Sequence, residues 1–160
     1  VQIRSFLVKN RSKINFFGSD AEVLYNRLID TALVQIEDFH FQLKNNQFSR
    51  IKQDSSKGNS WRKRGKKDGV IDFRMCSASI CNLVRALTKP YVGAHIELEN
   101  IDYKVWKVDM SNRIDLNSND EPGKILNIIH NKIEVKTGDS AIWLIEHEIN
   151  DSIKIGQYLN

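Results

Sequence analysis

The sequence predicts an α+β fold: a long helix, a basic connector, a second helix and a small five-stranded β-barrel. Three observations carry this. Apolar residues recur at helical spacing from Leu24 to Leu43. From Ala94 onward the period changes to two. Between these stretches, residues 48–67 hold eight basic residues and one acid, Asp54.

Residues 1–8 (VQIRSFLV) have strand character with no lead-in, so the chain is expected to begin inside a longer protein. Phe16, Phe17 and Gly18 close a loop. Ser19 with Glu22 three residues later reads as a capping box, which starts a helix of residues 20–44, roughly 37 Å long. Leu24, Leu28, Ala32, Ile36, Phe39 and Leu43 form its apolar stripe, and that face needs a partner larger than one hairpin. Residues 45–69 show no periodicity and are rich in Ser, Asn, Gly, Lys and Arg. They read as a loop with one short strand at 48–53; loops this long are usually functional or disordered. Ser77 or Ser79 can cap a second helix, whose buried stripe is Ile80, Leu83, Val84 and Leu87, and Pro90 stops it. Strands follow at 94–99, 103–109, 124–129, 132–136 and 141–148, with a short edge at 153–155. Asn100, Glu121-Pro122-Gly123, His130-Asn131 and Thr137-Gly138-Asp139 supply turn chemistry. Short strands this close together suggest a small closed barrel of the OB-like, Greek-key type.

Composition narrows the function classes. At 160 residues, 41% hydrophobic and 28% charged, the chain can bury a core and is not generally disordered. No apolar run approaches a membrane span. Cys76 and Cys81 are too few for a secreted disulfide framework, and five residues apart on a helix they point about 140° away from each other. Reduced thiols and a cytoplasmic chain are expected. Net charge is +4, yet residues 48–67 carry +7, so the other 140 residues sum to −3. The basic character belongs to one segment.

Catalytic chemistry is hard to find. His40, His95, His130 and His147 are scattered, and neither cysteine has a partner at metal-ligand spacing, so no metal site is expected. No Gly-x-Ser-x-Gly elbow, dinucleotide fingerprint or P-loop occurs. Asp20, Asp30 and Asp38 read as a solvated helix face. The basic loop is the exception. Arg62 and Arg64 can bind phosphate bidentately, and Trp61 can stack on a base or a sugar. An indole in a polar loop is costly to expose, so Trp61 is expected either to anchor the loop on the body or to meet a ligand. The competing reading is a solvated charge run.

A series of motifs resembles the folate-dependent formyltransferase family. They are Ser60-Trp61-Arg62-Lys63-Arg64, Lys67-Asp68-Gly69-Val70-Ile71-Asp72-Phe73, and Asn82-Leu83-Val84-Arg85-Ala86-Leu87 leading to Pro90-Tyr91-Val92-Gly93-Ala94. Lys104-Val105-Trp106-Lys107-Val108, Pro122-Gly123-Lys124-Ile125 and Thr137-Gly138-Asp139-Ser140 continue the match, with Ser140 where the family usually has a second Gly.

The resemblance implies three regions. Residues 1–44 would end a Rossmann-like formyltransferase domain as a strand plus the long helix. Residues 45–69 would be the connector, and 70–160 an OB-like C-terminal domain. The family's catalytic Asn-x-His and Asp-x-Gly-Asp motifs have no match, so the chain alone is expected to be inactive and to contribute no catalytic residue. The cofactor, 10-formyltetrahydrofolate, would be bound by the preceding half. Substrate-binding roles carry over only to Trp61, Arg62 and Arg64. Pro90-Tyr91, in place of the Pro-Trp common in the tRNA branch, points to transfer onto the amine of a nucleotide-linked amino sugar, as in lipopolysaccharide biosynthesis. The alternatives are a methionyl-tRNA formyltransferase domain gripping tRNA phosphates, or a non-catalytic OB-like binding module. A cytoplasmic homodimer without membrane contact is expected.

Overall fold

The computed structural model describes residues 19–50, 52, 54–117, 119–150 and 153–159. The expected strand at 1–8 and the loop at Phe16, Phe17 and Gly18 lie outside them. The chain divides into two compact units, Val1–Lys63 and Arg64–Asn160.

In the first unit, helix α1 spans Ala21–Lys44. Its N-cap is Asp20, not Ser19. The Asp20 carboxylate accepts from the Val23 N–H at 2.9 Å, while the Ser19 hydroxyl accepts instead from Arg27. A carboxylate beside the positive end of the helix dipole is the stronger acceptor there. Only Ala21 of α1 is buried. Of the predicted stripe, Leu28, Ile36 and Leu43 stand exposed, and Leu24, Ala32 and Phe39 are half-buried. No helix among the described residues is long and apolar enough to cross a membrane. The strand expected at 48–53 does not form over its described residues, 48–50 and 52; residues 51 and 53 lie outside them. A 3-10 turn, Ser55–Lys57, interrupts the connector and is capped by Asp54.

The second unit is one helix on one sheet. Helix α2 spans Ser77–Leu87. The strands are β1 (Ala94–Leu98), β2 (Ile101–Met110), β3 (Ile125–Ile129), β4 (Lys132–Lys136) and β5 (Ala141–His147). They form one five-stranded antiparallel sheet in the order β1-β2-β5-β4-β3. No β3–β1 pairing closes the ladder among the described residues. Two flanking segments extend it. Val70 bridges to His95 on β1, and Tyr158 bridges to Lys124 before β3. The outer edge thus comes from residues 157–159, with Leu159 buried, and not from the expected 153–155, where Ile155 is exposed. Leu159 reaches the core, which Ile155 could not do from its turn position.

The core lies between α2 and the sheet. Ile80 and Val84 of α2 meet Ile96, Val105, Ile142 and Leu144. β4 breaks the alternation expected of a half-exposed strand: Ile133, Glu134, Val135 and Lys136 are all buried. Ile133 and Val135 enter the core. Glu134, on the other face, is covered by the chain following β2, where Ser111 and Arg113 bond its carboxylate, Arg113 at 3.1 Å. A buried carboxylate needs such partners, because an unpaired one costs several kcal/mol, on the order of 3–5.

Both cysteines are free, Cys76 exposed and Cys81 half-buried against the core. Hydrogen bonding from Ser79 pulls the Cys76 thiol below its ordinary value, and burial pushes Cys81 up. Thiol titration of the native chain should therefore show one fast group. Cys81 should react at a comparable rate only after unfolding, and equal rates would contradict this packing.

Candidate functional site

The basic connector is the most exposed stretch of the described chain: every residue from 54 to 67 is exposed. Trp61 is 86% exposed. Its sequence neighbours are Ser, Asn, Gly, Lys and Arg. Trp61 and Arg62 belong to the first unit and Arg64 to the second; all three are exposed. Not every cation in the run is open to a ligand. Lys57 pairs with Asp54 at 3.7 Å. Lys66 pairs with Asp102 at 2.7 Å and with Glu97 at 3.7 Å.

The second unit fixes where the connector ends. Residues Lys66–Gly69 form a 3-10 turn, closed by the Asp68 carboxylate accepting from the Gly65 N–H at 2.7 Å. The following residues run along β1, where the Ile71 N–H donates to the His95 carbonyl at 2.8 Å. Ile71 and Phe73 enter the core. Asp72 and Arg74 stay at the surface, where the guanidinium hydrogen bonds hold the Asp72 carboxyl down to about 2. The connector is thus firmly seated from Lys66 onward.

Two motif glycines have steric reasons. A Cβ on Gly138 would lie 2.2 Å from the Arg74 carbonyl oxygen. Gly93 has φ +80°, and a Cβ there would meet the Trp106 ring at 2.9 Å. The Trp106 indole N–H donates to Glu148 at 3.3 Å, and the Lys89 ammonium stands 5.7 Å from its ring centroid. Tyr91 and Val92, beside this cluster, are exposed.

The turn at Gly138 does more than reverse the chain. Asp139 accepts from the Ser77 backbone N–H at 2.8 Å and from its hydroxyl at 3.0 Å, and Thr137 donates to it at 3.1 Å. The cap of α2 therefore comes from 62 residues away, and not from the predicted Ser77 or Ser79 side chains. Ser79 instead faces the Cys76 thiol at 3.0 Å. These bonds hold the Asp139 carboxyl below the usual range, the Ser77 backbone N–H contributing most.

One set of metal-ligand-type groups occurs among the described residues. His95, Glu97 and Asp102 present ligand atoms within 4.8 Å of one another. Reading histidine and cysteine spacing alone misses it, because the β1–β2 hairpin assembles it by placing Glu97 opposite Asp102. His95 is buried, and both ring nitrogens lack a hydrogen-bond partner. Burial, aided by the Lys104 charge, pushes its pKa below the ordinary histidine value. A separate cavity of about 80 Å³, lined by Ile128, His130, His147 and Ile153 among others, is far too small for a folate.

An exposed cationic run leading into a small helix-on-sheet unit defines the class: an α+β domain with a basic entry segment. Comparison with known proteins refines this. Residues 63–160 match the family described as "Formyl transferase, C-terminal domain". The chain belongs to that family. It is 33% identical over 103 residues to the methionyl-tRNA formyltransferase of Natranaerobius thermophilus, covering 64% of this chain and 33% of that protein. It is 43% identical over 65 residues to the bifunctional polymyxin resistance protein ArnA of Wigglesworthia glossinidia brevipalpis, covering 41% of this chain and 9% of that one. Among solved structures it is similar in fold to a variant of HypX from Aquifex aeolicus, with a TM-score of 0.57 and 16% identity, over 83% of this chain and 23% of that one. The chain thus spans about a third of the methionyl-tRNA formyltransferase.

Proposed function

We propose that this chain is the C-terminal part of an N-formyltransferase. The enzyme moves a formyl group from 10-formyltetrahydrofolate to the amine of a nucleotide-linked amino sugar. The observation that carries this reading is the exposed basic connector, which leads directly into the family-matched unit. In this reading residues 1–44 complete a Rossmann-like half, with the apolar stripe of α1 packed against it. That half would hold the folate and the catalytic groups; there the acceptor amine would gain the formyl carbon and lose a proton, and the bond from that carbon to the folate nitrogen would break to release tetrahydrofolate. The sheet of the second unit serves as an OB-like platform for the connector. Trp61 stacks on the acceptor, and Arg62 and Arg64, two apart in sequence, share its diphosphate. Tyr91 in the Pro-Tyr block supports the sugar acceptor. The enzyme acts in the cytoplasm as a homodimer.

A second reading has its own support. Methionyl-tRNA formyltransferases match longer stretches of this chain, 64% in one case and 81% in the homologue from Mycoplasma capricolum. On that reading the connector grips tRNA phosphates.

Binding measurements on the complete enzyme separate the two. Arg62→Ala and Arg64→Ala are expected each to weaken a UDP- or dTDP-linked amino sugar by about 1.5–3 kcal/mol, the range of a charge-assisted hydrogen bond. Lys63→Ala should change little, and the salt dependence should be shallow. Equal losses from all three variants, with a log–log salt slope of several units, would move the assignment to tRNA. No loss from any of them would remove the connector from the site.

A further inference from the structure

The strongest unassigned chemistry in the second unit lies under the connector's last turn. His95 and Glu97 alternate onto the same face of β1, and Asp102 and Lys104 lie opposite them on β2. Lys66 reaches over the two carboxylates from the 3-10 turn. An ammonium can neutralise the carboxylates, but it leaves the buried imidazole without a partner: neither His95 ring nitrogen is hydrogen-bonded. Buried polar atoms left unpaired are uncommon and call for a reason. His95 is 1% exposed, and one of its ring nitrogens lies within 4.8 Å of both carboxylates.

We propose that His95, Glu97 and Asp102 form a binding site for one divalent first-row transition ion, and that the Lys66 ammonium occupies its place when the ion is absent. One imidazole nitrogen with two carboxylate oxygens is a donor set suited to zinc, and to its divalent neighbours, with water completing the shell. The ion takes up one His95 nitrogen together with both carboxylates, where Lys66 pairs with the carboxylates alone. Glu97 and Asp102 have side chains 54% and 27% exposed, so they can close on an ion without opening the core. Lys66 is 61% exposed and free to swing outward. Its departure unpins the turn that ends the connector, so ion binding is coupled to the connector's seating. Lys104 opposes the ion by repulsion, which keeps the affinity moderate.

The test is calorimetric titration of the full, tag-free chain with zinc chloride, in a buffer that does not chelate zinc. One zinc per chain is expected. Glu97→Gln and Asp102→Asn should each weaken binding by about tenfold or more, since even groups behind the ligands affect affinity to that degree. Lys66→Gln should tighten it by about 2–5-fold, the factor released when an exposed ion pair no longer competes. In the wild-type chain, the imidazole nitrogen resonances of His95 should shift with zinc while those of His40 do not, a readout that requires no change to a buried residue. The proposal is overturned if wild type and Lys66→Gln both show no saturable binding up to about 1 mM. It is equally overturned if binding survives unchanged in both carboxylate variants, which would place the ion on other histidines.

Discussion

Gly138→Ala is expected to destabilise the second unit by about 3 kcal/mol or more, at or beyond the upper end of overpacking costs. The new methyl would stand 2.2 Å from the Arg74 carbonyl oxygen and 3.0 Å from the carbonyl carbon. Both are backbone atoms, so no side-chain rotation relieves the contact. The Gly138 N–H also donates to the Met75 carbonyl at 3.1 Å, which ties this turn to the segment entering α2. Separating the two segments to fit the methyl would pull Asp139 away from Ser77. Urea unfolding followed by tryptophan fluorescence should show a much lower midpoint at an unchanged slope. A midpoint close to wild type would mean that the turn is less tightly seated than its distances indicate.

The second large effect belongs to Asp139 itself. Asp139→Ala removes the acceptor for the Ser77 N–H, the Ser77 hydroxyl and the Thr137 hydroxyl. A lost helix cap costs up to about 2 kcal/mol, and the loss of further partners for buried Ser77 and Thr137 brings the expected total to about 2–3 kcal/mol. Asp139→Asn keeps an oxygen acceptor and should cost less than about 1 kcal/mol. The wild-type contribution also depends on pH. The folded-state pKa of Asp139 is depressed, so its stabilisation is fully present above the unfolded carboxyl value and is lost as pH falls through the folded one. Wild type should therefore lose stability relative to Asp139→Ala below about pH 4. A difference between the two that stays constant down to pH 2 would show that the carboxylate charge plays no part.

These two residues link fold to proposed function. The connector ends on β1, and α2 begins a few residues later, after Asp72 and Arg74. Gly138 and Asp139 hold the start of α2 against the sheet. Loss of either should loosen the platform while leaving Trp61, Arg62 and Arg64 chemically intact.

The sequence by itself determined the elements and the charge. The 3.6-residue stripe of α1, the change to period two at Ala94 and the Gly- or Asn-bearing turns are local patterns, and the five strands appear within a few residues of where those patterns put them. The concentration of cations before Gly69 is likewise arithmetic on residues, and the motif blocks gave the family. Tertiary structure decided what depends on partners distant in sequence. The α2 cap came from Asp139, since a carboxylate brought across 62 residues by the β4–β5 turn aims better at the Ser77 N–H than a local serine does. Burial of Glu134 depended on Ser111 and Arg113 folding back over a strand face that alternation alone would leave wet. Trp61 is exposed, which its residue type in a polar run does not foretell. Finally, His95, Glu97 and Asp102 form a set only because antiparallel register puts Glu97 opposite Asp102. Period and spacing report what lies along one strand, whereas pairing register and burial are fixed by what packs across it.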